Sequence, residues 1–104
     1  MYIVLGVWKG GDMERKINHN LIVYSRKHYN IYKCNDGSYV VHNTKKSFDT
    51  GHTHIADLDM AKVIVDVAVK KKIPHKFSRY LLISLLRISD NYRLSNQCIN
   101  RLRG

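Results

Sequence analysis

The chain has 104 residues and carries 18 Lys and Arg side chains against 8 Asp and Glu, so its formal net charge is +10; this length permits one small domain and leaves no room for a second core. Apolar residues at 44% and charged residues at 25% are ordinary globular proportions, which exclude a disordered chain and a coiled coil. Because no apolar run approaches the ~20 residues that span a bilayer, and the two cysteines form no disulfide framework, we expect a reduced, cytoplasmic protein.

The first twelve residues differ in pattern from the rest, and two interpretations of them stay open. Residues 9–13 can be encoded as AAA GGA GGT GAT ATG, a purine-rich ribosome-binding sequence directly before a start codon. Met13 is then the biological start, and residues 1–12 are a translated leader. Alternatively, residues 2–8 form a short edge strand that ends at a glycine pair. Residues 13–104 are predicted to form a single α+β domain.

Three β-strands are predicted next, over residues 21–24, 29–34 and 39–42. All three segments are rich in β-branched and aromatic side chains, and the polar residues 25–28 indicate a turn between the first two. The dipeptide Asp36-Gly37 tolerates positive φ in a tight hairpin and separates the second strand from the third. The pattern therefore predicts a three-stranded antiparallel β-meander with one face covered by helices.

A first helix is predicted after a polar connecting loop over residues 43–55. Asp57 can cap this helix, because apolar residues recur at helical spacing after it and lysines follow at its C-terminal end. The alternative is a buried strand over residues 62–69, because valine and isoleucine dominate that stretch.

Further helices are predicted in the C-terminal part of the chain. Pro74 suits the opening turn of a second helix, in which residues 77–88 carry an apolar stripe. A last short helix is predicted over residues 91–102, with Ser89 or Asp90 as its cap. The predicted fold class is thus α+β, a three-stranded antiparallel β-meander followed by two or three packed helices.

The excess positive charge lies in the C-terminal half. Residues 1–60 carry 8 basic and 6 acidic side chains, whereas residues 61–104 carry 10 basic and 2 acidic ones. Such asymmetry favours an anionic partner, either phosphates or an acidic protein surface. Six potential phosphate ligands surround one junction between helices, and we predict that they bind nucleic acid: Lys70, Lys71, Lys72, His75, Lys76 and Arg79. The alternative is that these side chains only cover the solvent side of the helices.

Two further features bear on nucleic-acid binding. The second predicted helix is unsuited to be a recognition helix, because its leucine and isoleucine side chains need burial. Tyr29, Tyr32 and Tyr39 can stack unpaired bases if they face outward from the sheet. Otherwise they pack in the core or across strands.

Histidines form a second candidate site. In an extended segment His52 and His54 point to the same side, where they can chelate a metal or serve a phosphodiester hydrolase. Possible completing ligands are His42, Asp49, Asp57 and Asp59. The alternative is that a histidine ring ties the loop to Asp57 or to strand backbone. The sequence carries no phosphate-binding loop, Ser-His-Asp order or paired-carboxylate motif, which favours a protein that is not an enzyme and uses no cofactor.

Three short stretches carry a resemblance: Asn43-Thr44, Gly51-His52-Thr53-His54 and residues 80–89. Together they resemble a small uncharacterised protein family of phages and mobile elements in Gram-positive bacteria. Small proteins of mobile elements often bind and block host machinery, so the resemblance implies the alternative of a protein-binding inhibitor of a host enzyme. The leading expectation is a cytosolic accessory or regulatory protein that binds nucleic acid or a nucleoprotein through its basic C-terminal half.

Overall fold

A computed structural model of the chain describes residues 17–104, which form one antiparallel sheet and three helices. The strands follow one another in the sheet in chain order: β1 (Ile17–Arg26), β2 (Tyr29–Cys34), β3 (Tyr39–Asn43) and β4 (His52–Ile55). The helices are α1 (Leu58–Lys70), α2 (Arg79–Ile88) and α3 (Tyr92–Arg103). The α+β class and the antiparallel meander are confirmed, but the prediction of three strands is wrong. Both interpretations of residues 1–12 lie outside the described residues.

The fourth strand lies within the stretch predicted to be a loop. Thr53 and Ile55 are each 1% exposed, whereas His52 and His54 alternate with them and are half-buried. Val41 of β3 pairs with Thr53. The prediction of a loop over residues 43–55 is therefore wrong at its C-terminal end. The residues of β4 are mostly polar, so hydrophobicity does not indicate a strand there, and only the alternation of buried and half-buried side chains shows it.

The turns between the first three strands differ in how well the sequence predicts them. Gly37 has a φ of 85°, and the Asp36 carboxylate accepts a hydrogen bond from the Ser38 backbone N–H at 2.9 Å. This confirms the Asp-Gly hairpin. The turn before β2 contains only Lys27 and His28, because β1 continues through Arg26 and Lys27 takes a left-handed φ of 55°.

Helix α1 confirms the first helix and rules out the alternative of a strand over residues 62–69. The Asp57 carboxylate caps it by accepting a hydrogen bond from the Asp59 backbone N–H at 3.0 Å. The helix ends at Lys70, and Lys71 follows with a left-handed φ of 58° while its N–H bonds to the Val67 carbonyl. Val65 and Val67 of this helix are buried in the core, so burial outweighs the lower helix propensity of valine.

The other two helices begin later than predicted. Ser78 caps α2, because its hydroxyl accepts a hydrogen bond from the Leu81 backbone N–H at 3.2 Å. Pro74 therefore lies in the connection before α2 and not in its opening turn. Asn91, instead of Ser89 or Asp90, caps α3 by accepting from the Leu94 N–H at 2.9 Å. A serine or asparagine side chain at the right distance decides each start.

The helices cover one face of the sheet. Buried side chains from strands and helices meet there, including Ile31, Val41, Ile55, Ile64, Leu85, Ile88, Leu94 and Cys98. A second cluster lies on the other face and contains Tyr32, Cys34 and Val40, with Phe48 packed against it. Both cysteines are buried. Tyr29 and Tyr32 are also buried and Tyr39 is partly buried against the core, so these tyrosines follow the alternative of packing within the fold. Within residues 17–104, every helix is too short or too polar to cross a bilayer.

Candidate nucleic-acid interface

The six predicted phosphate ligands lie where α1 gives way to α2. Lys70 ends α1, Lys71 caps it, and Arg79 is the first residue of α2. All six side chains are exposed. We call the segment between α1 and α2, residues 71–78, the connection. Lys71, Lys72, His75 and Lys76 lie on it, and Lys70 and Arg79 lie at the helix ends on either side.

Arginine hydrogen bonds attach this connection to the C-terminal end of α3. The Arg101 guanidinium donates to the carbonyl oxygens of Pro74 at 2.7 Å, His75 at 3.3 Å and Ile73 at 3.3 Å. The Arg79 guanidinium donates to the Leu102 carbonyl at 2.8 Å. Since these carbonyls are bound by a planar, multidentate donor, the connection has a fixed course.

The start of the same connection lies beside the N-terminal end of α3. Lys71 lines an open cleft of about 440 Å³ together with Asn91, Tyr92 and Arg93. Tyr92 is 83% exposed, more than any other large apolar or aromatic side chain among the described residues. The connection therefore runs along α3 from one end to the other.

The connection and α3 together form what we call the basic surface. Its basic side chains come from the connection and from α3: Lys70, Lys71, Lys72, His75, Lys76, Arg79, Arg93, Arg101 and Arg103. Helix α3 contains no Asp or Glu. Within the described part of the chain, Arg26 forms an ion pair with Asp66 at 2.7 Å, and the His28 ring lies 3.5 Å from the Asp90 carboxylate, where it is charged only when protonated. Neither contact involves a residue of this surface. Its positive charge is thus left uncompensated by ion pairs among residues 17–104.

A partly buried histidine adjoins the basic surface. Burial lowers the pKa of His28, the positive charges of Lys45 and Lys71 lower it further, and only the nearby Asp90 carboxylate opposes them. Lys45 from the β3–β4 connection is thus close enough to act on the same ring as Lys71.

The histidine site has a structural role in the loop between β3 and β4. The His42 Nε2 lies 3.0 Å from the Lys46 carbonyl oxygen, and the His52 Nδ1 lies 2.5 Å from that of Phe48. The Phe48 ring stacks on His52 with centroids 4.1 Å apart. Each ring holds backbone of the loop, which is a structural role like that of the alternative interpretation, but these two partners are loop carbonyls instead of Asp57 or strand backbone.

The arrangement of the histidines bears on the predicted metal site. His52 and His54 share one side of β4, as predicted, with ring centroids 5.1 Å apart. Within residues 17–104, however, no three His, Cys, Asp or Glu side chains are placed so that they could hold a metal ion together.

Next to His42, the buried Asn43 amide donates to the Ile88 carbonyl at 2.9 Å, which links the sheet to α2.

Comparison with known proteins does not add to this picture. No family model, curated protein or solved structure matches the chain.

Several residues of the basic surface were not predicted from the sequence. Arg101 and Arg93 lie more than 20 positions from Lys71 along the chain, and their proximity to the connection arises from the packing of α3. Tyr92 was also missed. The available signal was the absence of any acidic residue in α3 while arginines recur on it.

Stability should decrease as the pH falls below neutrality. Burial is the main cause that lowers the pKa of both His28 and His52 in the folded chain. The unfolded chain therefore binds more protons over the histidine titration range, so folding is favoured above the ordinary histidine pKa and loses that contribution as the pH drops. Urea unfolding at about pH 7.5 and about pH 5.5 measures this difference.

Single replacements locate the source of this pH dependence. His52→Gln should reduce the difference between the two urea midpoints, because one buried imidazole is gone. The control is His75→Gln, which removes an exposed imidazole and should leave the difference unchanged. Equal midpoints at both pH values in the unaltered protein would contradict the role of burial.

Proposed function

We propose that this chain is a small cytoplasmic accessory protein that binds nucleic acid, free or within a nucleoprotein, through the basic surface. The observation that supports the proposal is that the connection lies beside α3 at both of its ends, which brings exposed basic residues of the two segments near one another. Surplus charge distributed around a protein promotes solubility, whereas charge concentrated on one side attracts a polyanion.

The dimensions of the basic surface suit a nucleic-acid backbone. Helix α3 has 12 residues, which corresponds to about 18 Å at 1.5 Å per residue. Several consecutive phosphates of one DNA strand fit along that length, since they are about 3.4 Å apart along the helix axis. The lysines of the connection then bind backbone oxygens without reading the sequence.

Replacing two lysines of the connection tests this proposal. Lys72→Ala combined with Lys76→Ala should weaken binding to a fluorescent duplex at about 0.1 M salt, by about one order of magnitude for each of these lysines that binds a phosphate. The control is Lys33→Ala combined with Lys62→Ala, which removes the same charge from β2 and from the first half of α1. Fluorescence anisotropy measures both dissociation constants.

The comparison of the two pairs decides where the nucleic acid binds. A large decrease in affinity for the first pair and a small one for the control supports the basic surface. Equal decreases would mean that net charge alone governs binding, and they would refute a defined interface. Circular dichroism of all variants checks that the fold is retained.

Protein binding is a second candidate function, and the first strand favours it. Leu21, Ile22 and Val23 are three successive exposed apolar residues of β1, with exposed fractions of 47%, 47% and 40%. Within residues 17–104, β1 is an edge strand. Such an edge suits a host protein that adds a strand, as an inhibitor encoded by a phage or mobile element would require. A partner that stays bound after nuclease treatment, but not with Ile22→Lys, would support it.

A further inference from the structure

Helix α3 has a polar exposed face that its role in the fold does not require. Leu94 and Cys98 bury one side of the helix. The opposite side carries Arg93, Gln97 and Asn100 at intervals of four and three residues, and all three are exposed. Residues at this spacing line one stripe of a helix. The solvent-exposed side of α3 therefore carries these three side chains next to one another.

The composition of this stripe points to base recognition. Arginine pairs with the O6 and N7 atoms of guanine, and asparagine and glutamine pair with the N6 and N7 atoms of adenine. Solvated helix faces usually combine lysine with glutamate, but α3 contains neither. Asparagine is also a poor helix former, so helix stability does not explain its presence within α3.

The position of α3 makes this stripe accessible to a duplex. Helix α3 packs against α2, and α2 in turn packs on the sheet and α1, so that α3 is an outer helix of the fold. A helix of about 10–12 Å diameter enters the major groove of B-form DNA, which is about 12 Å wide. The major groove of A-form RNA is too narrow for it.

The lysines of the connection complete the arrangement. The Arg101 hydrogen bonds to residues 73–75 and the cleft shared by Lys71 and Arg93 place the connection beside α3 at both ends. Cations next to a groove-binding helix contact the phosphates that border the groove. Helix α2 offers no comparable stripe, since its exposed residues are Arg79, Tyr80, Ile83 and Arg87 and include no amide side chain.

We propose that α3 enters the major groove of B-form DNA and that Arg93, Gln97 and Asn100 contact base edges there. The chain then binds particular duplex sequences more tightly than others. This inference rests on the proposed nucleic-acid binding, and it adds the class of ligand and the source of specificity.

Selection from a randomised duplex library, followed by measurement of single sites, tests the inference. The enriched duplex should bind the unaltered protein at least about tenfold more tightly than a scrambled duplex of equal length. Gln97→Ala combined with Asn100→Ala should reduce that ratio severalfold and leave binding to the scrambled duplex unchanged. The control, Lys72→Ala combined with Lys76→Ala, should weaken binding to both duplexes and preserve their ratio.

The outcomes separate the two proposals. Duplex binding without any enriched sequence, or a ratio that survives in the Gln97 and Asn100 variant, would overturn the role of α3 while the proposed function stands. Tighter binding to RNA than to duplex DNA would also overturn it. No binding to any nucleic acid would overturn both proposals.

Discussion

Replacing Leu85 by alanine is expected to lower the free energy of unfolding by about 3 kcal/mol, within the range of 2–5 kcal/mol for buried leucines. Leu85 is 0% exposed and lies on α2, the helix that contacts the sheet, α1 and α3. The substitution leaves a cavity in a close-packed region, so the cost of the cavity adds to the transfer free energy of the removed atoms. Because a domain of this size is stabilised by only about 5–15 kcal/mol, the effect is large.

The control for this prediction lies on the same helix. Ile83 is 40% exposed, so Ile83→Ala should lower the free energy of unfolding much less than Leu85→Ala. Urea unfolding followed by circular dichroism measures both, and a shifted midpoint at constant slope shows a change in stability alone. Equal decreases for the two variants would contradict the orientation of α2.

Replacing Arg101 by lysine is expected to weaken both the fold and nucleic-acid binding at unchanged net charge. The arginine donates to three consecutive carbonyls of the connection, and a lysine ammonium cannot reproduce that planar set. We expect the free energy of unfolding to decrease by about 1–2 kcal/mol. The dissociation constant for DNA should rise because the lysines of the connection no longer follow a fixed course.

A second arginine at the end of α3 provides the control. Arg103→Lys preserves charge in the same way, and Arg103 is exposed in the last turn of the helix. It should change neither stability nor affinity appreciably. If Arg101→Lys binds DNA as tightly as the unaltered protein, the connection does not need to be held against α3 for binding.

Local sequence signals predicted most of the fold. The Asp36-Gly37 turn, the Asp57 cap and the apolar stripe of α2 each depend on residues within a few positions of one another, and the structure confirms them. The strand β4 was missed, because Thr53 and His54 carry a polar composition that resembles a loop. The strand β4 is buried because α2, a helix distant from it in the sequence, packs against it.

The candidate interface was predictable only in part for a similar reason. Lys70, Lys71 and Lys72 are consecutive, so a local count of charge finds them. The hydrogen bonds of Arg101 to the connection span more than 25 positions, and no pattern in the sequence indicates them. The exposed face of α3 can be predicted from the spacing of its polar residues. The helix-turn-helix pattern, however, assigns the role of recognition helix to α2, and the apolar side chains of α2 make it unsuited to that role.

The salt dependence of DNA binding tests the central claim most directly. The dissociation constant of the unaltered protein for a duplex of about 20 base pairs is measured between about 50 and 200 mM salt. If at least three cations of the basic surface contact phosphates, the logarithm of the association constant should fall with the logarithm of salt concentration with a slope of about −2.7 or steeper. A slope near zero, or no binding at the lowest salt concentration, would contradict the account.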